Sequence, residues 1–145
     1  MTDLELGAWR GFLRAHRHLV RELDTNLREA HSLSLSAYDV LLQLADAPEH
    51  RMRMSELASS IILSPSGLTR LVDRMCREGL VERLRCPSDA RGSFAALTEL
   101  GAERFAEARG THLDGIRSLF TSHFSAPELG RLGEEWDRVV EGGGR

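Results

Sequence analysis

The chain has 145 residues with a formal net charge of −3, and it is 41% hydrophobic and 28% charged. That length supports one domain with helical extensions, and the composition is that of an ordinary soluble globular protein. No apolar run approaches the about eighteen residues of a membrane span. The acidic start MTDLELGAWR lacks the basic cluster of a secretory leader, and two cysteines, Cys76 and Cys86, make no disulfide scaffold, so a cytoplasmic protein without membrane contact is expected.

In the first segment Leu6, Trp9, Leu13, His16, Val20, Leu23 and Leu27 alternate steps of three and four up to about Ala30, a helical seam that Phe12 and Leu19 widen. No other early segment covers that seam, so its cover is the C-terminal helices or a second subunit. Ser36 and Asp39 form a Ser-x-x-Asp start for a helix carrying Tyr38, Leu41, Leu42 and Ala45, which Pro48 ends. Arg51 to Met54 alternates polar and apolar, the period of a short strand. Ser55 then caps a helix from Glu56 to about Ile61. Ser64-Pro65 restarts helix at once, with serine as cap and proline at the first helical position, and Gly79 stops it after about Arg77.

Leu80 to Arg85 and Phe94 to Thr98 are strands joined by Cys86 to Ser93, an eight-residue loop rich in turn formers whose tip projects into solvent. A long helical pattern runs from Thr98-Glu99 to Phe124. Ser125 and Glu128 form a capping box for a last helix that buries Leu129, Leu132, Trp136 and Val139 or Val140, before a frayed glycine-rich end. The order is α-α-β-α-α-β-β-α-α, mainly α with a small β-hairpin wing.

Two short helices with a tight turn between them and a hairpin after them are the parts of a winged helix-turn-helix. Leu57, Ile61, Leu63, Leu68 and Leu71, with small Ala58, fall where the two helices cross; Ile62 stands where such turns often have glycine. The second helix turns Leu68, Leu71, Val72 and Met75 inward and leaves Ser66, Thr69, Arg70, Asp73 and Arg74 outside. All 19 basic residues are arginine, which fits bidentate recognition of phosphates and base edges and fits codon bias equally. Their distribution is uneven: residues 51–98 hold eight arginines and five acids, a net of +3 that leaves −6 for the rest. That local charge is what a phosphate backbone feels.

Two readings of the outward face stand. In one, Ser64, Pro65, Ser66, Thr69 and Arg70 approach double-stranded DNA in the major groove and Arg74 meets a phosphate. In the other, Arg70, Asp73, Arg74 and Arg77 are a solvated surface in mutual i,i+3 and i,i+4 pairs. The following loop favours the first. Asp89-Ala90-Arg91-Gly92 presents an arginine able to enter the minor groove, with an acid two residues earlier to orient a guanidinium.

From Leu35 to Gly101 the chain resembles the MarR family of bacterial transcription regulators. The resemblance is carried by Ser-Pro-Ser-Gly-Leu-Thr-Arg-Leu-Val-Asp-Arg from Ser64, by Gly-Leu-Val-Glu-Arg from Gly79, and by Asp-x-Arg-Gly from Asp89 followed by Leu97-Thr98 into a long helix. It implies a homodimer whose first and last two helices interlock, binding a pseudo-palindromic operator, usually to repress, and released by a small ligand or an oxidant. The organisation it implies is a dimerisation helix over 1–33, a DNA-binding lobe over 34–98, C-terminal dimerisation helices over 99–141 and a disordered tail over 142–145. Ser64, Ser66, Thr69, Arg70 and Arg74 match recognition-helix positions, and Asp89 and Arg91 match the wing pair. Trp9, Phe12, His16 and Tyr38 fall where the resemblance places a small-molecule effector, and core packing accounts for the same residues.

Peroxide sensors of this kind use a cysteine in the first helix, and no cysteine precedes Cys76; a buried structural thiol is the preferred reading of Cys76 and Cys86. The histidines His16, His18, His31, His50, His112 and His123 are scattered. No acid or cysteine joins His16 at ligand spacing, so neither metal nor cofactor is expected; His112 and His123, eleven residues apart, are too distant for one metal within one helix, and both can still meet His16 in a folded dimer. No phosphate-binding glycine loop, Gly-x-Ser-x-Gly elbow, His-Glu-x-x-His or Cys-x-x-Cys is present, which argues against an enzyme. The alternative is a winged-helix adapter that binds protein without reading DNA.

Overall fold

Each end of the long first helix is closed by local chemistry. Thr2 and Glu5 make a reciprocal capping box at the start of α1 (Asp3–His31), and Ser32 turns left-handed (φ 55°) to end it. In the computed structural model residues 1–61, 65–86 and 89–143 are described, without the side chains of residues 65, 86 and 89–91. α2 (Leu35–Asp46) is capped by Ser34, whose hydroxyl accepts from the Ala37 N–H, and not by Ser36; the start signal read from the sequence lies two residues late. Ser34 has the extended backbone a cap needs, whereas Ser36 is already helical. A 3₁₀ turn at Pro48–His50 leads into β1 (Arg51–Arg53).

α3 (Met54–Ser60) follows the strand directly and has no side-chain cap, so Ser55 lies inside its first turn instead of capping it. α4 (Pro65–Arg77) begins at proline, whose missing N–H costs nothing there. It ends in a Schellman closure: Gly79 adopts φ 77°, its N–H bonds the Cys76 carbonyl at 3.1 Å, and the Leu80 N–H bonds that of Met75 at 3.0 Å. β2 (Val81–Cys86) and β3 (Asp89–Leu97) form the wing, and the sheet order is β1-β3-β2, all antiparallel.

The wing corrects the expected eight-residue loop. Pairing runs from Val81↔Leu97 to Arg85↔Ser93 and then jumps to Cys86↔Asp89. The turn-forming residues after Asp89 are therefore taken up as a bulge within β3, a device that absorbs extra residues and bends the strand.

α5 (Glu99–Leu119) starts at Thr98, which joins three elements. Its hydroxyl accepts from the Gly101 N–H at 3.0 Å and donates to the Gly79 carbonyl at 2.6 Å, while its own N–H donates to the Leu80 carbonyl at 3.2 Å. Glycine is required at 101 because a Cβ would stand 2.1 Å from the Leu80 carbonyl oxygen. The helix stops at Leu119, short of the expected Phe124, and a 3₁₀ turn over Thr121–His123 follows. α6 (Ala126–Gly142) opens on the expected Ser125/Glu128 capping box and extends into the glycine run, through Gly142.

The core gathers Leu27 of α1, Val40, Leu41 and Leu44 of α2, Leu57 of α3, Leu68, Val72 and Met75 of α4, and Leu80, Val81 and Ala95 of the wing, all buried. The C-terminal half of α1 is fastened to α2 and α5 by side-chain hydrogen bonds. Asp24 accepts from the Leu35 N–H at 2.8 Å and from Arg28 at 2.7 Å, and His31 meets Thr111 at 2.7 Å while its carbonyl accepts from Arg104. Burial pushes the Asp24 carboxyl up, but those two donors outweigh it and hold the group below the ordinary carboxylate range.

α6 does not bury the expected residues within the chain. Trp136 is 41%, Val139 66% and Val140 77% exposed, and Leu129 and Leu132 are only half-buried. Across from them Trp9 is 56% and Leu13 41% exposed, with Phe12 meeting Trp136 ring to ring at 5.4 Å. No helix among the described residues is long and apolar enough to cross a membrane.

Candidate nucleic-acid interface

α4 divides as its sequence requires. Leu68, Leu71, Val72 and Met75 are buried against the lobe, while Ser66, Thr69, Arg70, Arg74 and Arg77 are exposed on the opposite face. The mutual pairing of Arg70, Asp73, Arg74 and Arg77 does not form. Asp73 instead reaches Arg83 of β2 at 3.1 Å, tying the helix to the first strand of the wing, and Arg70 and Arg74 have no ion-pair partner among the described residues. Ser64 and the side chains of Pro65, Asp89, Arg91 and Cys86 lie outside the described residues. The backbone of Asp89 and Arg91 belongs to β3, where Asp89 pairs with Cys86, so both sit at the far end of the wing.

Two arginines that the sequence did not single out, Arg51 and Arg53, stack over the Phe94 ring at 5.2 and 5.7 Å on the flank of the sheet. Cys76 is half-buried at the core edge. Burial pushes its thiol up, against the pull of Arg83 and Arg77, which is opposite to the depressed value a reactive thiolate needs.

The MarR family profile matches residues 33–93. Sco3205, a MarR family transcriptional regulator from Streptomyces coelicolor solved in complex with DNA, is 34% identical, with a TM-score of 0.92 over 98% of this chain and 89% of that one. The chain belongs to the MarR family of transcriptional regulators. AbsC, a second MarR family regulator from the same organism, is also 34% identical, with a TM-score of 0.90 over 97% of this chain and 95% of its own. The HTH-type transcriptional repressor YetL of Bacillus subtilis (strain 168) is 29% identical over 91 residues, 63% of this chain and 54% of YetL, so the match spans about half of that relative. The winged-helix architecture expected from the sequence is thus the observed one, and the family is one of regulators, not enzymes.

In this MarR-family chain a cavity of about 430 Å³ opens between α1, α2 and α5, behind the end of α3. Of the four residues expected at an effector site, His16 and Tyr38 line it; Trp9 and Phe12 do not, and stack instead on each other at 5.8 Å near α6. His112 lines the same cavity as His16 within one chain, so no partner is needed to bring these two together, and His123 is not among the lining residues. The His112 ring lies 4.4 Å from that of Tyr38, and its buried Nδ1 has no hydrogen-bond partner among the described residues.

Asp39 was missed as a site residue. The sequence carried a signal for it, because Leu35, Asp39 and Leu42 stand at i, i+4 and i+7, an acid on an otherwise apolar helical stripe that faces the cavity. Burial pushes the Asp39 carboxyl up, countered by a hydrogen bond from Gln43 and by His112. Burial likewise pushes the His112 imidazole down, countered by Asp39. No group of three or more His, Cys, Asp or Glu among the described residues is arranged to hold a metal.

Proposed function

We propose that this chain acts in the cytoplasm as a homodimeric repressor. It binds a pseudo-palindromic operator in double-stranded DNA with α4 in the major groove and the wing in the minor groove, and a small molecule in the α1–α2–α5 cavity releases it. The carrying observation is the two-faced α4, polar and arginine-bearing outside over a buried apolar side. Sco3205, similar along nearly its whole length, was solved with DNA, and YetL is a repressor; both support the reading.

In this proposal Ser64, Pro65, Ser66, Thr69 and Arg70 approach base edges and the backbone near the helix N-terminus, Arg74 meets a phosphate, and Arg91, oriented by Asp89, enters the minor groove. Residues 34–98 are the reading lobe, and 1–33 with 99–141 the dimerisation frame. The open apolar surface of Trp9, Leu13, Val139 and Val140 supports a second copy as its cover.

Titration of labelled duplexes carrying inverted repeats, at several salt concentrations, tests this. The dimer is expected to prefer one repeat; Arg70→Ala costs about 1–3 kcal/mol and relaxes that preference, and Arg91→Ala weakens binding without changing the preferred major-groove bases. A monomer in sedimentation with no preference among duplexes overturns the proposal. Unchanged affinity in both variants overturns the assignment of contacts.

A further inference from the structure

The cavity between α1, α2 and α5 is walled by Val20, Leu23, Leu42 and Ile61, and apolar walls with a few convergent polar groups are the usual form of a small-ligand site. Its charge chemistry is one-sided. Asp39 supplies a carboxylate, and although the chain holds 19 arginines, none among the described residues lines the cavity. Asp39 has no ion-pair partner among the described residues, and the imidazole nearest it electrostatically, His112, is disfavoured as a cation by its burial. A carboxylate in an apolar wall has lost part of its water and gained no cation, so a ligand that brings one recovers both a charge-assisted hydrogen bond and the Coulomb attraction. An anionic ligand would meet that carboxylate directly, while the guanidinium felt at Tyr38, that of Arg109, stands outside the lining. Arg17 and Arg21 face the adjoining groove along α1, together with Asp24, where an anion would be drawn instead.

We propose that the cavity takes a small apolar molecule bearing a protonated amine, and that Asp39 is the residue that recognises the cation. This rests on the reading of the cavity as the effector site, and binding and release are therefore measured separately.

Three probes of one shape decide it by calorimetry on the full-length protein: 2-naphthylmethylamine, 2-naphthylmethanol and 2-naphthoate. The amine is expected to bind at least tenfold more tightly than the carboxylate, with the alcohol between them. Asp39→Asn removes the preference for the amine and leaves the alcohol unchanged, and Asp39→Glu, which keeps the charge, retains the preference. Naphthoate binding as tightly as the amine, naphthoate binding lost in Arg17→Gln, an amine preference that survives Asp39→Asn, or binding by none of the three overturns the proposal. Operator titration in the presence of each probe separates the two readings. Release by the carboxylate alone sinks the ligand class and leaves an effector site standing, whereas Asp39-dependent amine binding without any change in operator affinity sinks the effector reading and leaves the amine site standing.

Discussion

The lobe built from α2, α3, α4 and the wing and the frame built from the first half of α1 with α6 use similar residues to opposite ends. In the lobe Leu41, Leu44, Leu57 and Leu68 are sealed within one chain. In the frame Trp9, Leu13, Trp136, Val139 and Val140, as apolar as their counterparts, remain open to water. The lobe closes because its helices and small sheet share one core, so each apolar face meets another. In the frame α1 and α6 meet at Phe12 and Trp136, while the long helix packed along α1 is α5, so much of each apolar stripe has no neighbour within the chain. Apolar residues in this chain thus serve two purposes, one intramolecular and one awaiting a second surface.

That contrast can be broken from either side. The largest effect is expected in the lobe, where Leu41→Ala removes a fully buried side chain and costs about 2–5 kcal/mol in urea unfolding, independent of protein concentration. Gly101→Ala forces a methyl group against the Leu80 carbonyl and is expected to cost about 1–3 kcal/mol in the same measurement. In the frame, Val139→Asp leaves the packing of the single chain as it is. Its effect appears as a lost dependence of the unfolding midpoint on protein concentration and as a smaller sedimenting species.

Asp73→Ala with Arg83→Ala, taken as a double-mutant cycle, is expected to show a stability coupling of about 0.2–1 kcal/mol because both groups are partly exposed. The smallest effect is in pH dependence. The folded chain holds the Asp39 proton more tightly than the unfolded chain does, so ionisation of this residue costs stability as pH rises through its folded value. Asp39→Asn is therefore expected to raise the thermal midpoint slightly at neutral pH, with no gain below about pH 4. His112 has the opposite sign. Its folded value is lowered, so stability is lost as pH falls below its unfolded value of about 6.5, and His112→Gln is expected to flatten that loss.

Features set by neighbouring residues were legible in the sequence. Pro65 at the start of α4, Gly79 at its end and the Ser125/Glu128 box each act within one turn of helix, and the buried and exposed sides of α4 follow from its period. The wing was misjudged because residues after Asp89 favour turns yet are accommodated by a bulge, which depends on the pairing partner. The α6 stripe was rightly seen as apolar, but periodicity reveals which side avoids water and not what covers it. The cavity was hardest to foresee, since His16, Asp39 and His112 come from three helices far apart in the chain and meet only through tertiary packing.

The joint at Gly101 has a mechanical consequence. There the backbone of α5 presses on the carbonyl of Leu80 with no room for even one carbon between them, and Thr98 bolts the same spot to the end of α4. Contact this close leaves little slack, so a tilt of α5 is expected to carry Leu80 and the start of the wing with it.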